Sequence, residues 1–318
     1  MPQHDKFMRI ALNLASRGIG ETAPNPSVGC VIVKDGIIIS QGRTGVGGRP
    51  HAEAIAIKKA GKQAKGSTIY VTLEPCSHYG QTPPCAENII KAKPAEVVVA
   101  CLDPDKRVNG RGIKMLMEAG IKVTLGIGED EAQNINRGFI KRIQDKLPFV
   151  TLKAAISSDG KYLKGKGKPT WVTGELARSY VHLLRSRSDC LITGTGTVIA
   201  DKPQLNVRLP GLEHTSPLVI VAGRRKVEGF RPKYAPLKTI LEDLAKEGVN
   251  NVLVESGPTL TAAFLRENLV DELIIISSPN ELGKKGDDYF KKDALKNLRQ
   301  ISQKEIGMDK IQIFTRIK

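Results

Sequence analysis

From residue 28 onward, strand-sized runs of β-branched and apolar residues alternate with segments whose apolar residues recur every three to four positions. No other feature constrains the fold as tightly. Helices interleaved with strands require crossover connections, and crossovers build a mixed or mostly parallel sheet covered on both faces. Phe7, Ile10, Ala11 and Leu14 predict an opening amphipathic helix. Val28 to Val33 and Ile37 to Ser40 flank Lys34-Asp35-Gly36, the signature of a hairpin. A helix from about His51 to Gln63, a strand over Thr68 to Leu73 and a helix beginning at Pro83-Pro84 and running through Lys91 follow. Next come a strand over Glu96 to Cys101, a helix near Ile113 to Ala119 closed by Gly120, and a strand over Ile121 to Leu125. One helix is predicted over Glu131 to Asp145. It stops at Leu147-Pro148, and a strand restarts over Phe149 to Ile156. With 318 residues, about twice a typical domain, the boundary is placed there: 1–147 and 148–318.

The second half alternates again. Helices are predicted over Glu175 to Arg187, Leu237 to Lys246 and Leu260 to Asn268, and strands over Cys190 to Thr193, Leu218 to Val221, Asn251 to Glu255 and Leu273 to Ser277. Ile311, Ile313 and Thr315 alternate as a closing strand. The longest apolar runs, such as Val97 to Leu102, are far short of a membrane span, so no membrane partner is expected. An odd count of 5 cysteines and no visible secretory signal predict a reducing, cytoplasmic setting. The net charge of +16 attracts polyanions, but aromatic residues are only 4% and do not interleave with the basic ones. That argues against a nucleic-acid groove and for a generally basic surface.

The chemistry concentrates in His51-Ala52-Glu53, Pro75-Cys76 and Pro84-Cys85. Singly, each cysteine reads as a core thiol and His51 as a satisfied histidine. Together, one imidazole and two thiolates leave the fourth tetrahedral position of a zinc ion open, as in catalytic sites. Zinc brings the pKa of bound water to about 7. His-x-Glu with Pro-Cys-x-x-Cys is the signature of zinc nucleobase deaminases, in which the Glu moves protons without ligating metal. From that signature Glu53 is the catalytic acid/base and His51, Cys76 and Cys85 are the metal ligands. Here eight residues separate the cysteines instead of two, which predicts a loop at the pocket mouth; His78 within it reads as a substrate contact or loop residue rather than a fourth ligand. Cys30, Cys101 and Cys190 lie in apolar stretches and read as core.

Pro24-Asn25-Pro26, Val28-Gly29, His51-Ala52-Glu53, and Leu73 to His78 through Thr82-Pro83-Pro84-Cys85 closely resemble the bifunctional riboflavin-biosynthesis deaminase/reductases. The long loop ending in Thr-Pro-Pro-Cys separates them from tRNA and cytidine deaminases. Asp103-Pro104, Gly110-Arg111-Gly112 and Asn136 to Phe139 extend the likeness. The resemblance implies an α/β chain: a cytidine-deaminase-like three-layer domain, then a dihydrofolate-reductase-like domain using NADPH. It implies zinc-dependent deamination of 2,5-diamino-6-(5-phosphoribosylamino)pyrimidin-4(3H)-one, then reduction to 5-amino-6-(5-phosphoribitylamino)uracil. The implied NADPH residues are Ala155, Trp171, Thr197, Asp201 and Gly257-Pro258-Thr259-Leu260; Arg185, Leu205, Arg208 and Glu255 are implied to hold the phosphorylated substrate. A homo-oligomer is expected.

The chain departs from the family pattern in three places. Pro169 stands where a hydroxyl residue is usual, with Thr170 beside it; Ala222-Gly223 replaces an acid–hydroxyl pair; and the stretch from Arg225 to Leu237 is short. Arg224, Arg225 and Lys226 form either a 2′-phosphate attractor or a solvated basic turn. Two competing readings remain. One is a deaminase whose C-terminal domain is degenerate and non-catalytic; the other is a nucleic-acid deaminase.

Overall fold

The computed structural model describes residues 2–106, 108–164, 171–230 and 232–317. Pro169 and Thr170 lie outside them. Two compact units divide the chain, Met1–Lys146 and Leu147–Lys318. Leu147 packs against the core of the second unit, one residue earlier than the predicted boundary.

The first unit runs α1 (Pro2–Ser16), β1 (Gly29–Lys34), β2 (Ile37–Arg43), α2 (Ala52–Ala60), β3 (Thr68–Val71), α3 (Cys85–Ala92), β4 (Glu96–Val99), α4 (Arg111–Glu118), β5 (Lys122–Leu125), α5 (Glu129–Ile135) and α6 (Arg137–Asp145). Its sheet has the order β2-β1-β3-β4-β5. The hairpin β1/β2 turns at Asp35-Gly36, and β1 also pairs antiparallel with β3, whereas β3, β4 and β5 are parallel. β1, β3 and β4 are almost wholly buried, as apolar strands are when helices cover both faces. Met8, Ile32, Ile69, Ile89 and Leu116 fill that core, each large apolar side chain contributing roughly 1.5–3 kcal/mol.

The helix predicted over Glu131 to Asp145 is two helices, broken at Asn136. The buried Asn136 amide satisfies the backbone of Ser27: Oδ1 accepts from its N–H at 2.8 Å, and Nδ2 donates to its carbonyl at 3.0 Å. Periodicity cannot show such a local competitor for backbone partners.

The second unit runs β6 (Phe149–Ile156), β7 (Lys161–Tyr162), α7 (Glu175–Ser186), β8 (Cys190–Gly194), α8 (Thr195–Asp201), β9 (Leu218–Ala222), α9 (Leu237–Lys246), β10 (Asn251–Glu255), α10 (Pro258–Arg266), β11 (Glu272–Ser277), β12 (Asp287–Asp288), β13 (Leu298–Ile306) and β14 (Asp309–Arg316). The main sheet has the order β13-β14-β11-β6-β10-β8-β9. β11, β6, β10, β8 and β9 are parallel, and β14 and β13 add antiparallel at one edge. Phe264, Ile240, Leu241 and Leu152 anchor the core. The short helix α8 and the outer strand β13 were not expected. β13 has no apolar run to read, because seven of its nine residues are exposed.

Candidate functional site

His51 is the residue immediately before α2, Cys85 is the first residue of α3, and Cys76 lies in the segment that leaves β3. α2 and α3 pack together, so two helix starts and a strand exit converge. The ligand atoms of His51, Cys76 and Cys85 all lie within 4.8 Å of one another, and they form the sole such group of His, Cys, Asp or Glu donors among the described residues. His51 Nδ1 is 3.2 Å from Cys85 Sγ and 3.7 Å from Cys76 Sγ. A tetrahedral zinc with Zn–N near 2.1 Å and Zn–S near 2.3 Å places neighbouring donors roughly 3.5–3.8 Å apart. The trio therefore fits zinc. His78 is not part of it.

Glu53 sits in the first turn of α2, only 4% exposed. Burial, then the neighbouring Cys76, push its carboxyl up to about 7, near the pH at which a proton shuttle works best. Cys76 is held at about 4, chiefly because it accepts a hydrogen bond from the Cys85 thiol, with His51 adding to the effect against burial. Its sulfur also accepts from the Cys85 backbone N–H at 3.3 Å. Donating to Cys76, together with burial, pushes the Cys85 thiol far up. The hydrogen bond to Cys76 likewise raises His51. Of the two thiols, Cys76 is thus the more readily ionised. Cys30, Cys101 and Cys190 are buried free thiols, and burial is the main cause raising each.

In the second unit, Arg185 and Glu255 form a buried bidentate pair. Arg185 Nε donates to Oε1 at 2.6 Å and Nη2 donates to Oε2 at 3.0 Å, while Nη1 donates to the Asn206 carbonyl at 3.0 Å. Lys153 Nζ lies 3.4 Å from Glu255 Oε2. Burial alone would raise Glu255, but Lys153 and Arg185 outweigh it and hold the carboxyl at about 2. Arg208 is exposed, its Nη1 donating to Asn206 Oδ1 at 2.6 Å. Leu205, buried with φ +55, packs with Leu191 and Leu253 beside this network. Four residues implied to hold substrate are therefore brought together. Arg185 commits three of its five N–H donors to Glu255 and Asn206, and Arg208 alone of the two arginines presents its side chain to solvent.

The residues implied to hold NADPH cluster less completely. Thr197 Oγ1 accepts from the Gly257 N–H at 3.0 Å, joining α8 to the start of α10, where Pro258 and Thr259 occupy the first turn and Leu260 packs on the core. Gly223, with φ +140, presses against Thr195, and Arg225 lies beside Gly196. The carboxyl ends of β8, β9 and β10 thus carry a glycine-lined rim where backbone can approach a pyrophosphate. Asp201 ends α8; burial raises its carboxyl and Lys153 opposes the shift. Ala155 lies on β6 opposite Ile276. Trp171 stands apart, 67% exposed, with the Arg178 guanidinium 4.9 Å from its ring centroid. The sequence reading missed Lys153 and Asn206. A single lysine inside the apolar run Val150 to Ile156 was the available signal for the first, and none marked the second.

Residues 1–101 match the cytidine and deoxycytidylate deaminase zinc-binding region, and residues 148–311 match the RibD C-terminal domain. Riboflavin biosynthesis protein RibD of Haemophilus influenzae is 40% identical over 87% of this chain and 86% of its own length. The Escherichia coli protein of the same name is 39% identical over 88% and 89%. Among solved structures, Acinetobacter baumannii RibD superposes with a TM-score of 0.91 at 39% identity, covering 100% of this chain and 99% of its own. A Thermotoga maritima diaminohydroxyphosphoribosylaminopyrimidine deaminase/5-amino-6-(5-phosphoribosylamino)uracil reductase gives 0.89 at 31%, covering 99% of each chain. With both halves matched, and in this order, the chain belongs to the RibD family of riboflavin-biosynthesis proteins.

Proposed function

We propose that residues 1–147 deaminate the phosphoribosylated diaminopyrimidinone and that residues 148–318 then reduce its ribosyl group to ribityl with NADPH. The observation that carries this reading is the metal-sized trio of His51, Cys76 and Cys85 with buried Glu53 on the adjoining helical turn. Zinc on that trio would supply a water activated for attack at neutral pH. Glu53 accepts one proton from the water as a C–O bond forms at the ring carbon and passes it to the ring nitrogen; it then takes the proton of the newly added hydroxyl and passes it to the departing amine as the C=O bond forms. The C–N bond then breaks and ammonia leaves. Burial keeps Glu53 out of bulk water, and its carboxyl is beside Cys85 without being one of the three clustered donors.

In the second half, NADPH on the glycine-lined rim would supply hydride to the opened ribosyl carbon. Arg208 is the open anchor for the substrate phosphate. Arg185 acts through what it holds, fixing Glu255 and the Asn206 carbonyl. Lys153, in the middle of β6, lies near both Glu255 and Asp201. A cytoplasmic setting suits a chain whose five cysteines are all free thiols.

The test gives purified protein the diaminopyrimidinone phosphate and reads ammonia release and NADPH oxidation separately. Ammonia first, then one NADPH oxidised per turnover, supports the reading. No oxidation with saturating deaminated substrate would overturn the reductase half and leave a degenerate domain.

A further inference from the structure

Tyr289 directly follows β12, the short strand that pairs with β7, and is buried. Its ring meets those of Tyr162 and Phe290 edge-on, with centroids 5.7 and 4.8 Å away, and its N–H donates to the Gly160 carbonyl at 3.1 Å. Packing and backbone together fix where the phenol hydroxyl stands. That hydroxyl reaches the turn between β10 and α10. It donates to the Ser256 carbonyl at 2.6 Å and lies 3.0 Å from Thr261 Oγ1, which in turn lies 3.2 Å from Ser256 Oγ. A carbonyl only accepts and each hydroxyl has one proton to give, so the direction of every bond follows. Ser256 Oγ donates to Thr261, Thr261 donates to Tyr289, and Tyr289 donates to the carbonyl of Ser256. The three hydroxyls close a ring that begins and ends on one residue. Thr261 is fully buried, and in such surroundings linked hydrogen bonds strengthen one another.

The carbonyl of Ser256 and the N–H of Gly257 belong to a single peptide unit. Its N–H donates to Thr197 Oγ1 at 3.0 Å, so the unit is gripped at both ends. The glycine on its far side offers no steric resistance to rotation. Without the grip, the unit is free to turn its carbonyl towards the start of α10. There the N–H groups of Thr259 and Leu260 have no partner within the helix. A carbonyl oxygen swung beside them would repel the anion that they attract.

Resting on the NADPH reading of the second half, we propose that Tyr289 is a positioning residue for the cofactor. It acts through Ser256: the phenol hydroxyl locks the Ser256–Gly257 peptide in the orientation that leaves the opening amides of α10 to the pyrophosphate. Thr197 secures the other end of the same peptide. The small β7/β12 sheet gains a task from this, because it carries the aromatic ring that holds the turn.

Tyr289→Phe keeps the ring and its stacking and removes only the hydroxyl. NADPH titrated calorimetrically into the full-length protein, without substrate, should bind this variant roughly tenfold more weakly than wild type, the worth of about one buried hydrogen bond. Thr261→Ala, which spares the bond to the Ser256 carbonyl, should give a smaller rise in Kd. Ile240→Val trims the core at α9 and takes no part in the ring; it should lower Tm yet leave the Kd for NADPH unchanged. Hydrogen exchange over residues 256–261 should quicken in Tyr289→Phe and stay as in wild type in Ile240→Val. With deaminated substrate, the loss in Tyr289→Phe should appear in KM for NADPH more than in kcat. Ammonia release by the N-terminal half monitors the integrity of each variant. Unchanged affinity in Tyr289→Phe, or an equal loss in Ile240→Val, overturns the positioning role while leaving the reductase reading intact. If wild type itself binds no NADPH, the reductase reading falls and the role of Tyr289 falls with it.

Discussion

Replacing Arg185 with methionine should unfold the second unit well before the first. The substitution keeps the length and apolar stem of the side chain and removes three hydrogen bonds, two of them to the buried Glu255 carboxylate. Held at about 2 against an ordinary 4.5, that carboxylate is favoured in its ionised form by roughly 3 kcal/mol in the fold. Removing one member of a buried pair costs about 3–5 kcal/mol in other proteins, so the two figures agree. Lys153, 3.4 Å away, survives and places the expected loss at the lower end, about 3 kcal/mol. For a unit of this size that is a fall of about 6–12 °C in Tm. Calorimetry of the intact protein follows the transitions of the two units. Because the folded-state value of Glu255 is depressed, the stability it supplies is complete above about pH 4.5 and is lost as the pH falls towards 2. In Arg185→Met the loss should begin at higher pH. Arg185→Met/Glu255→Gln should recover part of the deficit, since the buried carboxylate is then gone and Lys153 keeps Asp201 as a neighbouring opposite charge. A single variant that loses under about 1 kcal/mol, or a double variant no more stable than the single, would refute the reasoning.

Cys76→Ser and Cys85→Ser should each lose stoichiometric zinc by elemental analysis, whereas Cys190→Ser should retain it; retention in the first two would remove the trio from the metal. Titrating zinc into the metal-free protein near pH 7, in weak buffer with an indicator dye, should release about one proton from the Cys85 thiol and a further fraction from His51. Release of none would mean that both thiols are already ionised. Glu53→Gln should keep zinc yet slow ammonia release by roughly 10²–10⁴-fold, and near-normal release would move the proton transfer to another group. Arg208→Ala should deaminate normally while kcat/KM for NADPH oxidation falls about 30-fold, the equivalent of about 2 kcal/mol for one exposed phosphate anchor. Unchanged reduction would relocate that anchor.

What could be read in advance was whatever depends on local pattern. The apolar runs specified β1, β3, β4 and β10, because strands buried on both faces must be continuously apolar, whereas β6 is legible from an alternation of buried and half-buried positions. His51, Glu53, Cys76 and Cys85 were legible because the chemistry of an open zinc site demands those side chains beside helix starts. Other features depend on partners distant in sequence. Asn136 splits a helix through a contact with Ser27, 109 residues away, and no window of neighbours contains that competitor. Arg185 was read as a hand for substrate. Its engagement by Glu255 and Asn206 becomes visible only when β10 and the loop after α8 are brought beside α7. Glu74 looked like part of a motif; its four amide partners come from the loop beyond β4 and the start of α4.

β13 forms the outer edge of the seven-stranded sheet, and its outward row of N–H and C=O groups is a template on which another chain could lay a strand. Arg299, Gln300, Gln303, Lys304 and Glu305 make that template inhospitable, since a newcomer would have to desolvate charges along most of its length. The polarity that hides β13 from a reading of apolar runs is thus the same property that opposes pairing of a further strand at this edge. Changing the exposed Gln303 and Glu305 to valine should convert this rim into a site of aggregation.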